Sequence, residues 1–187
     1  MNKNHNKLSI CLIGSKEYYP AFESVSSILR EILGQNQVTE LRITGKIHNI
    51  PSFLKIVILL MRDFLLCLKL LRTYKKEKIN IFLIFQGLYP LTSMGVKLTN
   101  AKLVDYIGGS PYIWSYLENT SIWGKIISFS NIILQEICYK LADLLITLSP
   151  SMVEMIPIKK HMNKTLFALP RIDRQFYVDF KPIIEYK

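Results

Sequence analysis

Small polar residues stand where several apolar runs break off. Gly14 and Ser15 follow Leu8 to Ile13, Gln86 follows Ile79 to Phe85, and Gly108, Gly109 and Ser110 follow Lys102 to Ile107. At the carboxyl end of a strand, such residues suit an oxygen-rich ligand. A glycine lets a ligand approach the main chain, and unobstructed N–H groups meet a phosphate or sugar oxygen. These residues are the candidate ligand loops. The plainer reading of Gly14, and of Gly108 to Pro111, is a tight turn. Other chemistry is missing. The chain has no G-x-G-x-x-G, P-loop, Cys-x-x-Cys or Ser-His-Asp set, and no carboxylate pair that periodicity would bring together. His5, His48, His161, Cys11, Cys67 and Cys138 are too scattered for a metal site, so no metal and no cofactor is expected, and no residue stands out as catalytic.

The elements that must hold these loops follow from periodicity. Leu8 to Ile13, Val38 to Ile43, Ile79 to Phe85, Lys102 to Ile107, Leu144 to Leu148 and Thr165 to Leu169 read as strands. The nearly unbroken apolar character of several of them suits parallel strands covered on both faces. Phe22, Val25, Ile28, Leu29, Ile32 and Leu33 keep helical spacing up to Gly34, a short helix follows Pro90, and Ser149 to Ser151 can open another. Ile122, Ile126, Phe129, Ile133, Ile137 and Leu141 predict the core stripe of a long helix. Strands alternating with helices predict an α/β doubly wound parallel sheet in one domain, with residues 1–7 as a disordered tail.

Pro51 opens the most unusual segment, which as one helix to Lys76 is about 39 Å long. Lys55, Arg62, Lys69 and Lys76 recur every seven residues and share a narrow stripe flanked by Asp63 and Arg72, while nearly everything else from Phe53 to Leu71 is apolar. That is more apolar surface than a helix lying on a sheet needs, and the surplus must be covered by the sheet, a partner domain or lipid. Its uninterrupted apolar runs fall far short of the ~18 residues of a transmembrane span. An interfacial helix with snorkelling Lys and Arg fits the pattern, with an over-apolar core helix as the alternative.

Composition points the same way. In 187 residues, half hydrophobic, the formal net charge is +10 and the mean hydropathy is +0.22. An apolar and anionic partner satisfies both, which favours a membrane surface; the basic stripe lacks the interleaved polar aromatics expected of a nucleic-acid surface. The aromatic stretch with Tyr112, Trp114 and Tyr116 reads as an exposed loop suited to a sugar or a membrane interface, or as one packed on its own domain. Three dispersed cysteines read as buried, reduced thiols of a cytosolic protein. The apolar run after Lys3 and Lys7 is too short for a signal peptide.

One combination of residues resembles a known family. Glu136 stands seven residues before Asp143 of an Ala-Asp pair, an apolar strand then ends at Ser149, and a last strand leads into Ile172, Asp173 and Phe176. This pattern resembles the end of the N-terminal domain of family 4 glycosyltransferases of the GT-B fold. The resemblance implies that 8–170 form a Rossmann-like acceptor-side domain and that 171–187 begin an interdomain linker, the C-terminal donor domain lying outside these residues. It implies a retaining transfer of sugar from a nucleotide-sugar donor to a membrane-surface or glycan acceptor, with these residues inactive alone. The expected location is cytoplasmic and peripheral on the inner face of the membrane. Family members usually carry a glycine-rich loop after the first strand, where this chain has Lys16 to Ser24. They often carry a histidine or aspartate near the ends of two later strands, where it has Gln86 and Gly108 to Pro111. The alternative function is a non-catalytic membrane- or partner-docking module.

Overall fold

The computed structural model describes residues 8–14, 21–43, 52–85, 89–107, 116–118, 120–147 and 156–167. Six strands form one all-parallel sheet: β1 (Ile10–Gly14), β2 (Val38–Arg42), β3 (Ile81–Phe85), β4 (Lys102–Ile107), β5 (Leu144–Thr147) and β6 (Thr165–Phe167). Their spatial order is β2-β1-β3-β4-β5-β6. Ile10 of β1 aligns with Val38 on one side and Ile81 on the other, and Asp105 of β4 aligns with Leu145 of β5. The doubly wound parallel sheet expected from the alternating runs is therefore present. Every residue of β1 is buried, as its apolar run requires for a strand covered on both sides.

Helix α1 (Ala21–Leu33) covers one face. Phe22, Val25, Leu29 and Leu33 pack there with Leu12, Leu83 and Phe85. On the other face lie α2 (Ser52–Glu77), α3 (Pro90–Lys97) and α4 (Ile122–Leu141), whose Leu66, Leu70, Val96 and Tyr139 share a core with Cys11, Ile13, Phe82, Ile84, Leu103 and Leu145. A last short helix, α5 (Ile156–Lys159), precedes β6 and buries Ile158. The Ser149 to Ser151 cap lies outside the described residues.

Asp63 sets how α2 sits. Although sequence spacing puts it beside the basic stripe, it is buried, and it caps a different helix. Its carboxylate accepts the Leu91 N–H at 2.7 Å, the Thr92 N–H at 2.9 Å and the Thr92 hydroxyl at 2.6 Å. Those groups are in the first turn of α3, whose own N-cap residue, Tyr89, supplies no side-chain bond. A negative charge there also complements the helix dipole. Beside it the two helices approach closely: a Cβ on Gly95 would stand 2.6 Å from Cys67 Sγ.

The periodic stripe of α4 meets the core only at its end, where Leu141 packs against it. Ser128, Gln135, Cys138 and Tyr139 are the buried side, whereas Ile122, Ile126, Phe129 and Ile133 are exposed. Within that side Gln135 Nε2 donates to Tyr139 Oη at 2.7 Å. At the amino edge of the sheet, Asp143 N–H donates to Leu103 O and its carboxylate accepts the Leu103 N–H, both at 2.8 Å, with Lys97 Nζ also at 2.8 Å. Burial opposes its charge, yet the Leu103 N–H and the Lys97 ammonium hold the Asp143 carboxyl below its usual range. The Ala-Asp pair thus fastens α3, β4 and β5 together. Glu136 ties α4 to His161, with 3.3 Å between carboxylate and imidazole.

Asp63→Ala leaves two α3 N–H donors without their acceptor and should cost about 2–4 kcal/mol, read from the urea midpoint at pH 7. Asp63→Asn keeps an acceptor oxygen and should lose less than half as much. Equal losses in the two variants would show that the cap is not the source of the stability.

Candidate functional site

In a doubly wound sheet, ligands enter at the carboxyl edge where the strand order reverses. Here that point lies between β1 and β3, where Gly14 and Phe85 end adjacent strands. The sheet's first five strands follow the order of flavodoxin-like folds, which bind at this switch. Aromatic rings floor the edge: Phe22 meets Phe85 edge-on with centroids 5.3 Å apart, and Phe85 lies 5.1 Å from Tyr106. Gly14 is part of that packing. A Cβ there would stand 2.8 Å from Phe22 Cδ2 and 3.1 Å from Phe85 Cβ, so the missing side chain makes room for the two rings. The Gly14 carbonyl accepts the Ile43 N–H at 2.9 Å, which joins β1 to the end of β2. Ser15, Gln86, Gly108, Gly109 and Ser110, together with Tyr112 and Trp114, lie outside the described residues. Of the candidate ligand loops, the structure therefore places Gly14 alone.

Beneath the edge lies a carboxyl group that is not among the candidate loop residues. Asp105 sits two residues before the end of β4, on the face covered by α3 and α4, and is buried. Desolvation raises its carboxyl from the ordinary 3.8 to about 7. Cys138 is close enough to feel that charge. Burial and then Asp105 push its thiol up to about 12, against hydrogen bonds with the Tyr89 backbone and the Ser93 hydroxyl. Cys11 is likewise buried, and burial raises its thiol too. All three cysteines are free; Cys11 and Cys138 are buried as expected, whereas Cys67 is only partly so. The signal for Asp105 is present in the sequence: an aspartate in the middle of an otherwise apolar buried strand is rare without a partner.

The basic candidates all belong to α2. Lys69, Arg72 and Lys76 are exposed, Arg62 is half-buried, and the Lys55 side chain lies outside the described set. Beside them the outward face exposes Leu54, Val57, Met61, Phe64, Leu65 and Leu68. The surplus apolar surface of this helix is thus not taken up by the sheet. Among the described residues, no helix is long and apolar enough to cross a membrane, and no group of three His, Cys, Asp or Glu side chains could hold a metal ion.

No protein-family model matches the chain, and no curated protein matches it. Among solved structures it is similar to Glycyrrhiza uralensis UGT73P12 complexed with glycyrrhetinic acid 3-O-monoglucuronide. The TM-score is 0.52 at 9% identity, over 87% of this chain and 49% of that one. It is also similar to Arabidopsis thaliana UGT89C1 complexed with UDP-L-rhamnose, with a TM-score of 0.49 at 13% identity over 90% of this chain and 46% of that one. The chain spans about half the length of each of these proteins. At such identity the likeness to the first is one of fold: a Rossmann-like domain of the GT-B type.

The buried Asp105 gives a pH signature. Its folded-state value lies above its unfolded one, so its contribution to stability is complete below about 3.8 and is lost as pH rises through about 7. A tenfold difference in proton affinity between the folded and unfolded chains corresponds to about 1.4 kcal/mol. Asp105→Asn should therefore remain more stable than wild type at pH 8, by a few kcal/mol, and the difference should shrink towards pH 4. Thermal unfolding of both proteins across that range measures it. A variant less stable at pH 8 would mean that the ionised carboxylate is held by a partner.

Proposed function

We propose that these residues form the acceptor-binding half of a glycosyltransferase that moves sugar from a nucleotide-sugar donor to an acceptor at a membrane surface or on a glycan. The observation that carries this reading is the GT-B-type Rossmann-like sheet, whose fold is shared with UGT73P12 over about half of that protein. The assignment to family 4 and to retaining chemistry rests on the Glu136 and Ala142-Asp143 pattern. The domain limits, 8–170 with a linker from 171, belong to the same reading. In it, the acceptor meets the carboxyl edge at Gly14, Ser15, Gln86, Gly108, Gly109 and Ser110, and the nucleotide sugar is held by a partner domain. Catalysis in a two-domain cleft comes largely from holding donor and acceptor together, so either half alone does little.

A second reading is favoured by the apolar outward face of α2, which the sheet leaves exposed. In that reading the domain is a non-catalytic module that docks on a membrane or a partner. Where the acceptor or the docking site is a membrane, either reading makes the basic stripe a membrane-surface element, peripheral on the cytoplasmic side, where anionic headgroups attract Lys and Arg within a Debye length of about 8 Å.

Titration calorimetry with a panel of UDP- and GDP-sugars tests the first reading. The 187 residues by themselves should neither bind nor hydrolyse them, while sugar or lipid-linked sugar acceptors give saturable binding. Tight nucleotide-sugar binding would overturn the assignment to the acceptor half, and binding to vesicles without any acceptor binding would favour the module. For the stripe, cosedimentation with phosphatidylglycerol-containing vesicles should weaken as salt rises. Exchange of Lys69, Arg72 and Lys76 for glutamine should weaken it on the order of tenfold or more at low salt. Unchanged binding by that triple variant would remove the stripe from the interaction.

A further inference from the structure

In a parallel sheet the helix between two strands ends at the amino edge, so the residues just before each strand gather there. In this chain many of them are lysines. Lys75, Lys76 and Lys78 precede β3, while Lys97 leads to β4 and Lys102 opens it. Lys140 precedes β5, and Lys159 and Lys160 precede β6. All of these lysines are exposed, and β3, β4, β5 and β6 are successive neighbours in the sheet, so they form one band along about 15 Å of edge. Contacts run across it. Tyr74 Oη at the end of α2 accepts the Asn100 N–H at 3.2 Å, and Asp143 lies 2.8 Å from Lys97 Nζ and 3.9 Å from Lys102 Nζ.

Helix ends attract cations on their own account, and Lys164 is such a case, donating to Lys140 O at 3.0 Å and to Ala142 O at 2.6 Å. The band exceeds that need. Among the described residues, Lys75, Lys76, Lys78, Lys140 and Lys159 have no acid within ion-pair distance, because the acids nearby are engaged: Glu77 with Thr39, Glu136 with His161 and Lys160, and Asp143 with Leu103 and Lys97. The turn after α1, Gly34 to Gln37, reaches the same edge without a cation.

The residue type selects the partner. Protein interfaces are depleted in lysine, and nucleic acids are held largely through the planar fork of arginine and through stacked aromatic rings. Among the described residues, no exposed aromatic ring stands in the band. Flexible ammonium groups suit headgroup phosphates, which impose no fixed geometry. Leu98, 80% exposed, projects between Lys97 and Lys102, and Met162, 48% exposed, follows Lys160. Apolar tips among lysines add shallow insertion to the charge attraction, a use that a polyanion in water does not offer. A second copy would bring the same positive band against this one.

We propose that the amino edge of the sheet, from the end of α2 to the start of β6, is a docking surface for an anionic bilayer, with Leu98 at the headgroups and the Gly14 edge facing away from the membrane. The α2 stripe joins this surface only at its end, since Lys55 and Arg62 lie towards the other edge. One consequence rests on the acceptor reading: the acceptor sugar meets Gly14 about 20 Å from the headgroups, so it belongs to an extended glycan and not to a sugar joined directly to its lipid.

Vesicles without any sugar separate this surface from the acceptor reading. Cosedimentation with phosphatidylcholine and phosphatidylglycerol compares two variants that lose the same charge. Lys140→Gln with Lys159→Gln should weaken binding about tenfold or more, and Lys55→Gln with Lys125→Gln by about twofold at most. The first pair should keep the melting temperature of wild type, since both side chains are exposed and unpaired; should it not, Lys75→Gln with Lys78→Gln serves instead. Orientation is read with brominated phosphatidylcholine in the vesicles, in a Trp114→Phe background. Leu98→Trp should add an emission component that is quenched on binding, whereas Trp123, at the start of α4, stays unquenched. Equal losses in the two double variants would overturn the proposal, as would quenching of Trp123 without quenching at position 98. Retention on RNA with no vesicle binding would overturn it in favour of a nucleic-acid partner.

Discussion

The carboxylate of Asp63 is the constraint from which much of the outer architecture follows. A charged group in an apolar helix must be buried with partners or left in water, and here the exposed first turn of α3 supplies those partners. Satisfying that cap fixes the rotation of α2 about its axis. Leu66 and Leu70, at helical spacing from Asp63, go to the sheet, while Met61, Phe64, Leu65 and Leu68 go outside. One hydrogen-bonded cluster therefore determines which part of a helix with surplus apolar surface is left uncovered.

The short helix α3 transmits this arrangement. It lies between α2 and α4, and each neighbour meets it through small or polar groups: Cys67 against Gly95 on one side, Cys138 with Ser93 on the other. Close packing of this kind needs no large apolar side chains. On the inner side of α4, Ser128 and Cys138 are small, and the larger Gln135 and Tyr139 are buried beside them.

Glu136, Ala142 and Asp143, the residues that carry the resemblance, have structural places in this fold. Asp143 joins β4, β5 and α3 at the amino edge, the opposite end of the sheet from Gly14, and Glu136 reaches His161. Those residues hold the strands in register and do not line the carboxyl edge. Asp105, which is closer to that edge, is enclosed between sheet and helices and has its carboxyl raised by burial. The resemblance thus bears on the frame of the domain more than on its chemistry.

Alternation of short apolar runs with helical periodicity was enough to determine the parallel α/β sheet, because a strand buried on both faces and a helix leave different spacings in the chain. Helix length and the surplus of apolar residues in α2 were legible for the same reason. Which side of each helix would be buried was not. Ile122, Ile126, Phe129 and Ile133 belong to a regular apolar stripe and are nonetheless exposed, and Asp63 flanks the basic stripe and is nonetheless inside. Gly14 could be read as a place of close approach, but only the packed sheet reveals that Phe22 and Phe85 are what approach it. Periodicity reports that a helix has distinct faces; the partner opposite each face, and the hydrogen bonds it offers, exist only once the chain is folded.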